Sequence, residues 1–287
     1  MIRRIKGVDL CVKRKIIHAS LVVMLFIFLS SACSFAEVVG TLVRSGASAG
    51  NVEVAVPEIY SSLVLAELSD EGLKAEKSMR FYDSLTLLQL ALNRGEIDAM
   101  ISPELVGEYM LRANPDYRLR GFLMLKSFTA LAFGFMEDRK ELCGKFSRVI
   151  EDLEREGVIG ILARDFITGP LAANPPAVEL PRFDGAEKIN VAVTGDMPPL
   201  DYVASDGKPA GFNVALMAEI AKRLRINIKP VYIETAARPS ALKSGRADAV
   251  FWFMIFTGYD HQPDLPEGVI TSTPYYGWNK VFLIGKK

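Results

Sequence analysis

Histidine and cysteine are scarce in this 287-residue chain, and what they cannot build narrows its chemistry. The two histidines, His18 and His261, stand far apart in sequence, and the three cysteines are Cys11, Cys33 and Cys143. No His/Cys spacing of a metal centre appears, nor a nucleophile elbow or a phosphate-binding glycine loop, so no metal or cofactor is expected. An excess of one charge is also missing: Lys and Arg number 34, Asp and Glu 34. Without a basic patch there is no electrostatic ground for nucleic-acid binding. What is present is a 50% hydrophobic, 24% charged composition. That excludes disordered and fibrous classes and leaves room for one or two cores.

The charge is unevenly placed. Arg3, Arg4, Lys6, Lys13, Arg14 and Lys15 face only Asp9 before an apolar run over residues 16–29 and a small-residue stretch over 30–36. The pattern predicts a signal peptide over residues 1–36, with Ser34-Phe35-Ala36 offering cleavage before Glu37; the apolar run is short for a membrane span. Lipid attachment at Cys33 and an uncleaved anchor stay open as alternatives. The expected location is the periplasm or the extracytoplasmic face of the cytoplasmic membrane. Cleavage would leave Cys143 alone, with no internal disulfide, and Leu142 and Phe146 place that thiol on the apolar face of a helix.

An internal repeat is the clearest organising signal. Ala91-Leu92-Asn93-Arg94-Gly95-Glu96-Ile97-Asp98-Ala99 returns as Ala241-Leu242-Lys243-Ser244-Gly245-Arg246-Ala247-Asp248-Ala249. In each copy an apolar helix ends at a glycine suited to a left-handed cap, and a buried strand follows the aspartate. Strands are expected over 52–56, 81–82, 97–101, 130–136, 189–193, 226–233, 249–256 and 281–284. Helices are expected over 61–68, 85–93, 141–154, 158–166, 211–224 and 239–243, with Ser84 as a cap and Gly157 as a stop. A Pro-rich stretch makes residues 169–187 a linker. The alternation predicts largely parallel sheets with crossover helices.

These residues resemble the family 3 solute-binding proteins, which have the type II periplasmic binding fold. The resemblance rests on Asp196-Met197-Pro198-Pro199-Leu200-Asp201-Tyr202, Asp206-Gly207-Lys208, Gly211-Phe212-Asn213-Val214, the Ala241 to Asp248 unit and Thr273-Pro274-Tyr275-Tyr276, in that order. Residues 50–168 are similar to the rest of the same family through Val52 to Val56, Gly95 to Asp98, Asn114-Pro115-Asp116 and Phe133 to Asp138. The family's order is inverted here. The resemblance therefore implies an α/β, two-lobed periplasmic-binding-protein-like fold of type II with permuted lobe order. It divides the chain into a second-lobe-like domain (50–128), a return strand and closing helices of the first lobe (129–168), the linker, and a first-lobe-like domain (188–287). A fragment of a tandem receptor is the rival explanation of the order.

By the same resemblance the ligand lies between the lobes, at loops following the strands. The expected contacts are Tyr60, Ser61, Glu104, Asp196, Tyr202, Arg238, Trp252, Phe253 and Thr257. Amino-acid receptors of the family carry an Arg where this chain has Asp260, and Ser102-Pro103-Glu104 stands where an amine-pairing Asp belongs. Arg238 is the expected partner of an anionic ligand group. The expected function is delivery of a small polar or amino-acid-like solute to the permease of an ABC importer, without catalysis. Two alternatives remain: a sensing or vestigial module acting through a partner protein, and a cleft enzyme such as a dehydratase or a glycan-cleaving relative.

Overall fold

Ser84 has extended backbone, and its Oγ accepts the Leu87 N–H at 3.1 Å, which opens the first described helix. The computed structural model describes residues 39–40, 54–57, 79–82, 84–234, 237–257 and 265–287. The expected signal peptide and the helix over 61–68 lie outside the described residues. Strands β1 (Val39–Gly40), β2 (Val54–Pro57) and β3 (Met79–Tyr82) precede helix α1 (Leu85–Arg94). Strand β4 (Ala99–Pro103) is buried throughout, and helix α2 (Glu104–Ala113) starts immediately after it. One long strand, β5 (Tyr117–Met136), leads to helices α3 (Lys140–Arg155) and α4 (Val158–Ala163).

After the Pro-rich stretch come β6 (Lys188–Val193), the short β7 (Asp196–Met197), β8 (Asp201–Val203) and β9 (Pro209–Ala210), and helix α5 (Phe212–Leu224). Then follow β10 (Asn227–Tyr232), α6 (Arg238–Lys243), β11 (Ala249–Thr257), β12 (Val269–Thr271) and β13 (Tyr276–Lys286). The Pro-rich stretch holds a 3-10 turn over Pro170–Ala173 and then runs without regular structure to a turn at Asp184-Gly185. Asn227 clamps it to the start of β10, accepting the Phe183 N–H and donating to the Phe183 carbonyl, both at 2.8 Å.

The repeat folds as the same corner twice. Gly95 (φ +71°) and Gly245 (φ +70°) each take the left-handed conformation at the end of a helix, which a side chain disfavours. At the second corner the Asp248 carboxylate accepts from Arg139 Nη2 at 2.6 Å and from the Asn190 N–H at 2.8 Å. The Asp248 N–H in turn donates to the Asn190 carbonyl at 2.8 Å. The aspartate thus fixes where β11 enters beside β6.

A ten-stranded sheet follows the path β1-β3-β2-β4-β13-β5-β11-β6-β10, with β12 on β5, and β7-β8-β9 form a second small sheet. Pairing is parallel among β3, β2 and β4 and among β11, β6 and β10. Around β13 and β5 it is antiparallel, so the sheet is mixed rather than largely parallel. The final strand of the chain is inserted between β4 and β5, joining the two ends of the sheet. All described residues fall in the unit Ala36–Lys287.

The core is heavily aromatic where β5 meets the helices. Phe133 is fully buried, with ring centroids 5.3 Å from Phe146, 5.1 Å from Phe251 and 5.2 Å from Tyr275. Cys143 is a buried free thiol, and that burial raises its pKa. It is a packing residue of α3, as its apolar neighbours predict.

Candidate ligand-binding cleft

Strands β5 and β13 run antiparallel to each other at the centre of the sheet, β13 beside β4 and β5 beside β11. Val281 pairs with Pro103 of β4, while Tyr276 pairs with Leu131, in the part of β5 that also pairs with β11. The register between them breaks twice, between Leu283 and Ile284 and between Trp278 and Lys280, the second where β13 passes from its pairing with β4 to the part of β5 that also pairs with β11.

Pairing of Val281 with Pro103 puts Lys280 beside Glu104, the first residue of α2, and the two side chains form an ion pair. Glu108, one turn further on, pairs with Arg112 at 3.6 Å. Tyr276 stacks edge-on against Phe212 of α5 at 5.3 Å, and burial together with the charges of Glu104 and Glu108 pushes its phenol up to about 12. Tyr202 of β8 is half-buried, its pKa raised by burial and by Tyr109 of α2. Helix α1 packs against β7. The two halves therefore meet along α1 and α2 on one side and β7, β8 and α5 on the other.

Asp196 lies at this meeting. Burial and the nearby Asp201 raise its carboxyl to about 6, against a smaller opposing effect of Arg238. Asp201 is buried and accepts from Thr194 Oγ1 and from the Gly195 N–H, each at 2.6 Å. Arg238 is 3% exposed and donates to the carbonyls of Ile233 and Phe251, each at 3.4 Å. Its guanidinium is held against the backbone, close enough to Asp196 to oppose the rise of that carboxyl.

Of the sequence-derived contacts, the structure brings Glu104, Asp196, Tyr202 and Arg238 to the two sides of this meeting. Glu104 arrives already paired with Lys280. Tyr60 and Ser61 lie outside the described residues. Trp252, Phe253 and Thr257 lie in β11, and their side chains lie outside them too. Sequence reasoning did not single out Tyr109 or Lys280, which the structure also brings to this meeting. The alternation of large side chains at Tyr276, Trp278, Lys280, Phe282 and Ile284 was the available signal.

Among the described residues no group of three or more His, Cys, Asp or Glu side chains is placed to hold a metal. No helix among them is long and apolar enough to cross a membrane.

A family match covers the segment from β6 onward. Residues 189–287 match the bacterial extracellular solute-binding proteins, family 3. No curated protein matches the chain by sequence. Among solved structures, the chain is similar to the periplasmic aliphatic sulphonate binding protein SsuA from Escherichia coli. They share 15% identity over 78% of this chain and 60% of that one, with a TM-score of 0.36. It is also similar to the alkanesulfonate-binding protein SsuA from Xanthomonas axonopodis pv. citri (12%, 72% and 53%, 0.33). A third is the zinc-bound ligand-binding component of an ABC-type import system from Staphylococcus aureus (11%, 71% and 53%, 0.36). The chain spans 53 to 60% of the length of these proteins.

Proposed function

We propose that the chain is an extracytoplasmic solute-binding protein that closes its two halves on a small polar solute and presents the closed form to the permease of an ABC-type importer. Residues 1–36 act as its export signal. The observation that carries this reading is the passage of both β5 and β13 between the halves, with Asp196 and Tyr202 on one side and Glu104 and Tyr109 on the other. The family match over 189–287 supports it.

A ligand that touches both halves shifts the open-closed balance by its differential affinity, which gives a permease a state to read. Asp196, Tyr202, Glu104 and Arg238 are the described residues proposed to contact or orient the solute; Tyr60, Ser61, Trp252, Phe253 and Thr257 complete the set by resemblance. The insertion of the last strand between β4 and β5 supports a circularly permuted arrangement, in which the C-terminal 188–287 segment completes the sheet begun by residues 50–168. The Pro-rich segment then joins what would be the natural ends.

The test is a thermal-shift screen of the chain from Glu37 onward against amino acids, polyamines, organic acids, aromatic acids, sugars and short peptides. A solute specific to the folded state raises the melting temperature. A single class of hits is expected; a cooperative melt that no solute moves contradicts the binding reading.

A further inference from the structure

Lys280, Phe282 and Ile284 of β13 face α2, and Tyr276 lies near it. A Cβ on Gly107 of α2 would stand 2.9 Å from the Phe282 ring and 3.2 Å from Ile284, Lys280 is ion-paired with Glu104, and Tyr276 feels the charges of Glu104 and Glu108. Trp278 lies on the same strand between Tyr276 and Lys280, both of which feel the charge of Glu104. Thr129 is its register partner on β5, and directly opposed residues of an antiparallel pair share a face.

Both side chains are nearly sealed from solvent, Thr129 at 0% and Trp278 at 5% exposure. Yet neither Thr129 Oγ1 nor Trp278 Nε1 has a hydrogen-bond partner. Two such groups side by side are costly, because each gives up its bonds to water and gets nothing in exchange.

We propose that this pair, at the crossing of the two strands, is a subsite for an uncharged hydroxyl group of the ligand, which makes the solute a neutral polyhydroxylated compound. The inference rests on the solute-binding reading above. The chemistry of the pair selects the group. An indole N–H only donates, so its partner must accept, and a hydroxyl accepts from Trp278 while exchanging a bond with Thr129. An ammonium has no lone pair to offer Trp278. A carboxylate would be brought toward Glu104 and Glu108, and Lys280, two residues along the strand from Trp278, is already engaged by Glu104. The faces of Tyr276 and Trp278 supply apolar area against which the C–H side of such a ligand packs.

The test uses the full chain with myo-inositol, D-glucose and D-ribose as neutral probes, and putrescine, succinate and L-glutamine as cationic, anionic and zwitterionic ones. Melting shifts and calorimetric titration are followed in the parent, in Thr129→Val and in Trp278→Phe. A neutral probe is expected to raise the melting temperature, and each variant to weaken its binding by about tenfold or more. Thr129→Val should melt, without ligand, no lower than the parent, because a methyl replaces an unpartnered hydroxyl.

If the neutral probe binds both variants as tightly as the parent, or if only putrescine, succinate or glutamine binds, the hydroxyl subsite is overturned and the binding reading stands. A loss of unliganded stability in Thr129→Val with unchanged affinity means the pair holds a structural water, which also overturns it. If none of the probes shifts the melt, the subsite is overturned, and the wider screen described above decides the binding reading. Thr129→Val carries the test alone should Trp278→Phe fail to fold.

Discussion

Asp196 holds its proton more tightly in the folded chain than in the unfolded one, since burial and Asp201 raise its carboxyl to about 6 from the ordinary carboxylate range. A raised carboxyl favours the folded state at low pH, and that advantage is lost as pH climbs through about 6. Asp196→Asn removes the buried charge. It is expected to raise the melting temperature of the unliganded protein at pH 7.5, with the gain shrinking toward pH 4. Melting curves of parent and variant across that range check it, and equal curves at both ends contradict the assignment. Asp196 and Tyr202 were legible in the sequence because they sit in a contiguous stretch with a family resemblance. Thr129 and Trp278 were not, because what distinguishes them is a missing partner, and only the register of two distant strands shows that. Arg238 was legible as basic and close to the cleft, but not as a side chain turned onto the carbonyls of Ile233 and Phe251.

The helix-glycine-strand corner is the unit that the sequence displays best, since its cap and its apolar strand are local. What it hides is the second use of the aspartate. Asp248 joins β11 to β6 and to Arg139, three segments far apart in sequence. Replacing Asp248 with Ala is expected to cost about 2 kcal/mol, because two donors lose a charged acceptor. A shifted denaturation midpoint at unchanged slope would register this, and no shift would show the carboxylate to be dispensable.

The aromatic cluster makes a stronger demand. Phe133→Ala empties the centre of four packed rings and is expected to cost about 3–5 kcal/mol, read from the same curves. A loss below about 1 kcal/mol would mean that the site collapses around the vacancy. Strand β5 was foreseen only over 130–136. Its first part, Tyr117 to Thr129, mixes exposed Leu119, Phe122 and Met124 with buried Leu125, so the alternation that marks a half-buried strand is blurred. The full extent of β13 was missed for a related reason: its pairing partners, β4 and β5, impose the length, and no local signal does.

At the scale of the whole molecule, the two ends of the sheet share one path because β13, beside β4, pairs with β5, beside β11. On the proposed solute-binding reading, this pair of strands with its register break is where the chain would bend. The α/β class and the two-part organisation were readable from the repeat and the Pro-rich interruption, whereas the antiparallel centre was not. Chain order places β13 last, and order alone does not say between which strands it inserts. Closure is the claim on which the solute-binding account depends. Small-angle X-ray scattering of the chain from Glu37 onward, with and without a saturating amount of the compound that gives the largest thermal shift, tests it most directly. The account predicts a smaller radius of gyration with the compound bound, as the halves close about β5 and β13. A radius that stays the same at full occupancy would contradict it.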